Sequence, residues 1–189
     1  MSDIGRQVIV CDCETTGLDL LHDWPIEVAC VNVATFEEFY FVPQPPPGAF
    51  DNAGPALTIN KYFERRVYEQ IGMHSWHGLL EFLRGQTFAG SNPAFDSIML
   101  LRGWQQFSQA KKMRDVWHHR LLDLAAYSAP ALGVRPWELK GLHDVCDKLG
   151  VKNTLEHSAL HDARATAECF RILQAQYGRF ATDEAASGA

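Results

Sequence analysis

The chain predicts an α/β domain of three layers, a central mixed five-stranded sheet flanked by helices. Three β-rich runs come first, and helical periodicity dominates from Thr58 onward with a strand or two among the helices. The composition agrees, since 47% of the 189 residues are hydrophobic and 21% charged, as in one globular domain able to bury its own core. Residues 8–13, 26–33 and 38–42 are rich in Val, Ile and aromatic side chains and bounded by turn formers, so each reads as a strand. Residues 43–55 carry five prolines and two glycines and predict an irregular loop, with a polyproline ligand as the alternative. Helical spacing then appears over 60–70 and over 75–84, where Trp76, Leu79, Leu80 and Leu83 recur at three and four. A short buried strand is expected at 87–89, followed by helices over 95–105, 121–128, 137–149 and 158–177. In the last helix Ala163, Ala167, Phe170, Leu173 and Tyr177 mark one apolar face. One domain over residues 1–180 is expected, with a small, polar, fraying tail over 181–189.

Charge and cysteine usage narrow the function. Seventeen basic residues against 23 acidic give a net charge of -6, so no broad basic field exists for wrapping duplex nucleic acid. A phosphate-bearing partner must then be held locally, by metal for example. The five cysteines include no C-x-x-C pair and predict reduced thiols; Cys11 and Cys13 read as buried strand thiols, with metal thiolates as the alternative. The N-terminus lacks an apolar core, and no run approaches the roughly 18 apolar residues that span a bilayer, so a cytoplasmic protein without membrane partners is expected.

The acids of the first strand stand out. Because side chains alternate along a strand, Asp12 and Glu14 share the face of Val8 and Val10, while Cys11 and Cys13 take the other. A sheet face covered by helices is ordinarily apolar there, whereas ligands of open α/β sheets bind at the carboxyl ends of strands. The alternative is a strand that has left the core with both acids solvated. Asp96 opens a helix after the turn-rich Gly90-Ser91-Asn92-Pro93, where a helix dipole alone would favour an acid. His157 and Asp162 are five apart, about 140° around a helix, so they would not share a helical face. His157 is therefore expected on the loop before the last helix, with Ser158 as N-cap, able to swing over a site that Asp162 faces.

Taken together, Asp12-x-Glu14-Thr15-Thr16-Gly17, Asn92-x-x-Phe95-Asp96 and His157-x-x-x-x-Asp162-Ala163 resemble, in order, the motifs of the DnaQ-like (DEDDh) exonuclease family, over about residues 7–177. The resemblance implies a ribonuclease H-like fold and hydrolysis of nucleic acid from the 3′ end to nucleoside 5′-monophosphates. It implies Asp12, Glu14, Asp96, Asp162 and His157 as catalytic residues. Thr15 by its backbone and Leu18 by its side chain would contact the terminal nucleotide, with Thr16 and Asn92 beside them. Many relatives place a histidine before this asparagine, where the present chain has Ser91, followed by Pro93 after it.

Crowded carboxylates repel one another and call for divalent cations, and oxygen-only ligands suit Mg²⁺ or Mn²⁺ better than Zn²⁺. By family likeness Asp12 would touch two such ions, Glu14 and Asp162 one, and Asp96 the other, an arrangement suited to in-line displacement. The implied partner is a single-stranded DNA or RNA 3′ end, DNA favoured, with an RNA-trimming enzyme or a polymerase-associated proofreader as alternatives. Lys61, Arg65 and Arg66, and Lys111, Lys112 and Arg114, are candidate guides for the strand, and the five tryptophans could stack bases although core roles should take most of them. Two more distant alternatives are an inactive binding module and an HD-type phosphohydrolase built on His118-His119, His143-Asp144 and His161-Asp162, an all-helical fold that the β-rich start opposes. Histidine, ordinarily titrating near pH ~6.5, suits the general base. Activity is expected to rise with pH through the histidine range, and His157→Ala to lower turnover while leaving metal affinity largely intact. A flat pH profile with a fully active variant would remove His157 from the mechanism.

Overall fold

The computed structural model describes residues 5–72, 75–108 and 116–177. The expected tail and the 111–114 basic cluster lie outside the described residues. Five strands form one sheet in the order β3-β2-β1-β4-β5. β1 (Val8–Thr15) pairs antiparallel with β2 (Pro25–Asn32), which pairs antiparallel with β3 (Glu38–Phe41). On its other side β1 runs parallel to β4 (Thr87–Gly90), and β4 to β5 (Leu122–Asp123). The carboxyl ends of β1, β4 and β5 therefore open on one edge.

The two helical layers follow from strand alternation. Val10, Ala29 and Val31 face α6 (Ala159–Tyr177), where Ala163, Ala167, Phe170 and Leu173 make the apolar stripe, with α5 (Leu142–Leu149) and α4 (Leu124–Ser128) beside it. Alanines at 159, 163 and 167 bring α6 close to the strands, so its first turn lies against β1 and β2. Ile9, Cys11, Cys13, Val28 and Cys30 face α2 (Trp76–Leu83) and α3 (Pro93–Ser108). All five cysteines are free and buried, as expected of core thiols. A third cluster, Ile26, Val42, Leu57, Tyr62 and Val67, seats α1 (Gly54–Asn60) at the β3 side.

Several expected elements move. The helix expected over 60–70 is replaced by α1, which starts inside the proline-rich stretch because Pro55 occupies its first turn, where no N–H is needed. α1 stops at Lys61 in the left-handed region, Arg66 is left-handed too, and only one 3-10 turn, Val67–Gln70, follows. The 121–128 helix begins instead with β5; Asp123 then caps α4, its side chain accepting the Ala126 N–H at 3.0 Å. The 137–149 helix shortens to α5, because residues 135–138 form a turn and Gly141 is the N-cap. β1 continues two residues beyond expectation, to Thr15.

Leu173 is fully buried in the α6 core and Leu139 is 48% exposed. Leu173→Ala should cost about 2–5 kcal/mol of unfolding free energy and Leu139→Ala less than about 1. Equal losses in a denaturant titration would contradict this packing.

Candidate active site

β1 outruns β4: their pairing ends at Val10 and Ala89, so the main chain beyond is free on that side. Asp96, in the first turn of α3, fills the gap, its Oδ1 accepting the Cys13 N–H at 3.0 Å. This bond fixes the second acidic motif against the first, and it goes beyond a helix-dipole role for Asp96. Asp12 lies opposite Ala29, whose small side chain leaves room, and Glu14 lies opposite Glu27. Both acids point to the α6 side, as alternation requires.

Asp162 arrives from the first turn of α6. Its carboxylate accepts a hydrogen bond from Asn153 Nδ2 on one oxygen and the His157 backbone N–H at 3.1 Å on the other. His157 sits on the loop before α6 with φ of 60°, a strained region for a side chain other than glycine, and is exposed. Ser158 accepts the Asp162 N–H through its carbonyl, while its hydroxyl meets His161 Nδ1 at 3.3 Å. The turn thus brings His157 over Asp162 although the two are five residues apart. Ligand atoms of Glu14, His157 and Asp162 lie within 4.8 Å of one another, a group able to hold a metal ion.

The electrostatics match this crowding. Burial and then the charges of Asp96, Asp162 and Glu14 push the Asp12 carboxyl well above its ordinary range. Burial with Asp162 and Glu27 pushes Glu14 up to about 8, Arg65 opposing. Burial raises Asp96 to about 7 against the Cys13 N–H, and raises Asp162 against the Asn153 and His157 bonds. Clustered, desolvated, mostly oxygen donors that resist ionisation fit a divalent cation, which would restore their charge.

A cleft of about 750 Å³ opens beside the acids, lined by Glu14 to Asp19, His22, Asp23, α1 residues Pro55, Ala56 and Ile59, Phe95 and His157. Thr15, Thr16 and Leu18 are on its wall; Asn92 is exposed just before α3 and outside the lining. The turn after β1 is tied by Asp23. Its carboxylate accepts Thr16 Oγ1 at 2.9 Å and the Asp19 N–H at 2.7 Å, and would lie 2.3 Å from a Cβ on residue 17. A side chain at 17 would push the Asp23 carboxylate out of these bonds, and the turn leaves Leu18 84% exposed over the cleft.

Glu27, Asn60, Asn153 and Asp23 were not singled out by sequence reasoning. Glu27 had left a signal, an acid inside an otherwise apolar strand. It is buried, bonded to Arg65 Nη1 at 3.0 Å and Tyr40 Oη at 3.0 Å, and paired with Arg65 Nη2. Asn60 is buried with Nδ2 on the Thr15 carbonyl at 3.4 Å. Two of the three cations in the first basic cluster are thus engaged, since Arg65 holds Glu27 and Arg66 pairs with Glu69.

Between about pH 4 and 8 the metal-free folded state holds protons on Glu14 and Asp96 that the unfolded chain releases near pH ~4. The folded state then binds more protons than the unfolded one, so stability falls as pH rises through that window. The Tm in EDTA should drop by several degrees from pH 5 to pH 8, and Mg²⁺ or Mn²⁺ should restore it chiefly at pH 8. Glu14→Gln should flatten the slope and blunt the metal response. A Tm in EDTA that rises with pH would overturn this account.

Comparison with known proteins agrees with the fold. The chain is 28% identical over 167 residues to the PolC-type DNA polymerase III of Thermotoga petrophila, covering 86% of this chain and 11% of that protein. It is 26% identical over 165 residues to its counterpart from Bacillus cereus, 84% and 11%. The chain thus spans about a tenth of the length of these relatives. Among solved structures, the zinc-bound E. coli exonuclease I complex with single-stranded DNA superposes with a TM-score of 0.63 at 16% identity, over 92% of this chain and 41% of that one. Exonuclease I from Methylocaldum szegediense gives 0.63 at 17%, over 93% and 42%. These structures share the ribonuclease H-like fold, which excludes the all-helical HD alternative. The model of the exonuclease family RNase_T matches residues 71–170, more than half of the chain, and the protein belongs to that DnaQ-like exonuclease family.

Proposed function

We propose that this chain is a metal-dependent 3′–5′ exonuclease that releases nucleoside 5′-monophosphates from single-stranded nucleic acid, DNA in preference to RNA. The observation that carries the reading is the convergence of Asp12, Glu14, Asp96, Asp162 and His157 from three separate segments, beside a cleft that Glu14 and His157 line. Asp12, Glu14, Asp96 and Asp162 would hold two Mg²⁺ or Mn²⁺ ions. When bound, such ions supply Lewis acidity for the phosphate oxygens and charge for the departing 3′ oxygen. The remaining chemistry belongs to the protein. Leu18, held out by the Gly17 turn, would pack on the terminal base, with the Thr15 backbone beside the sugar. A ring nitrogen of His157 would take the proton of the attacking water, its loop anchored by the backbone N–H on Asp162.

An acidic chain suits this task, because an end-trimming site holds few nucleotides and its cations provide local positive charge. The DNA preference is supported by the PolC-type relatives, which are DNA polymerases. The same likeness favours a second reading, in which this domain proofreads beside a polymerase.

The test offers 5′-labelled single-stranded DNA and RNA of one sequence with Mg²⁺, Mn²⁺ or EDTA. A ladder shortening from the 3′ end is expected, faster on DNA, abolished by EDTA and lowered at least a hundredfold by Asp12→Ala. Shortening from the 5′ end, or metal-independent cleavage, would overturn the reading. No cleavage without an added polymerase would favour the proofreading domain.

A further inference from the structure

The tryptophans divide sharply by exposure. Trp76 is 4% exposed in the core and Trp24, Trp104 and Trp117 are partly buried, whereas Trp137 is 76% exposed. It is not displayed by a slack segment. The Glu138 N–H bonds the Arg135 carbonyl at 2.9 Å, closing a turn with Pro136 at its second position and Trp137 at its tip. The Arg135 guanidinium lies 6.0 Å from the indole, and Leu139 beyond it is 48% exposed. Arg135 and Lys140 are exposed and make no ion pair among the described residues, as is also true of Arg6, Lys61, Arg120, Lys148 and Lys152; what sets them apart is the exposed indole between them.

This turn leads into the active-site edge. Gly141 caps α5, and His143 Nδ1 in its first turn bonds Glu156 Oε1 at 2.7 Å. Glu156 is the chain neighbour of His157, which lines the cleft. Six chain steps join Trp137 to His143, a span of at most about 22 Å, so the turn sits on the segment that feeds the His157 loop. Free cations flanking an exposed indole are the chemistry that single-stranded nucleic acid selects, stacking for its bases and charge for its phosphates.

We infer that the turn carrying Arg135, Trp137 and Lys140 is a second contact for single-stranded nucleic acid, holding the strand upstream of the 3′ nucleotide in the cleft. The inference rests on the proposed exonuclease reading and gives it a source of affinity that the acidic site lacks. Trp137 stacks on a base, and Arg135 and Lys140 neutralise two phosphates.

Binding of a labelled strand of a dozen nucleotides is measured in EDTA, and turnover of a dinucleotide is measured with Mg²⁺. Trp137→Ala should weaken the long strand about fivefold or more while Trp137→Phe retains most affinity. Arg135→Ala combined with Lys140→Ala should reduce the slope of log affinity against log salt by about 1.4. Dinucleotide turnover and Tm should stay at wild-type values in all three. Unchanged long-strand affinity in Trp137→Ala, with wild type binding and trimming normally, would overturn this contact and leave the exonuclease intact. A wild type that neither binds nor trims would overturn both. Loss of dinucleotide turnover in Trp137→Ala would also overturn it, by placing the indole in the catalytic site.

Discussion

Burial of four carboxylates around the end of β1 is the constraint on which the rest of this molecule turns. Asp12, Glu14, Asp96 and Asp162 come from a strand and two helices; burial raises the cost of ionising each, and at Asp12 and Glu14 the neighbouring acids add to it. A fold bears such strain only if its scaffold is held elsewhere. Here the holding is done by small apolar residues, alanines at 29, 159, 163 and 167, which let α6 approach the sheet, and by hydrogen bonds that orient the acids. The Cys13 N–H on Asp96 and the Asn153 amide on Asp162 oppose the upward shift of those two groups.

Behind Glu14 a second, compensated charge centre carries its own logic. Glu27 is buried directly across the strand pair, and Arg65 and Tyr40 satisfy it. A buried pair of this kind contributes little net stability against an apolar replacement, but removing one partner strands the other. Its effect is placement: Arg65 Nε also bonds the Asn60 carbonyl at 2.8 Å, and Asn60 reaches the Thr15 carbonyl. The cleft wall made by α1 is thereby tied to the end of β1, the strand that bears the acids.

The acidic balance of the whole chain is compatible with a polyanionic substrate because charge is distributed by task. Five of the nine described arginines are committed to ion pairs, the acids gather at one sheet edge, and unpaired positive charge recurs near α5 beside an exposed indole. Screening confines each of these fields to about 8–10 Å, so local arrangement outweighs net charge.

By itself the sequence determined the α/β class, the strand alternation that puts Asp12 and Glu14 on one face, and the motif order naming Asp96, His157 and Asp162. Those features are local: periods of two and 3.6, a glycine after a strand, a capped helix start. Residues 60–70 misled because left-handed Lys61 ends α1 and left-handed Arg66 allows only a single 3-10 turn after it, neither of which residue spacing reveals. Only the tertiary structure decided that β1 outruns β4 so that Asp96 can take the Cys13 N–H, that Glu27 pairs with Arg65, and that Trp137 faces solvent while Trp76 is core. Each of these depends on which residues meet across the fold, and spacing along the chain carries no record of that.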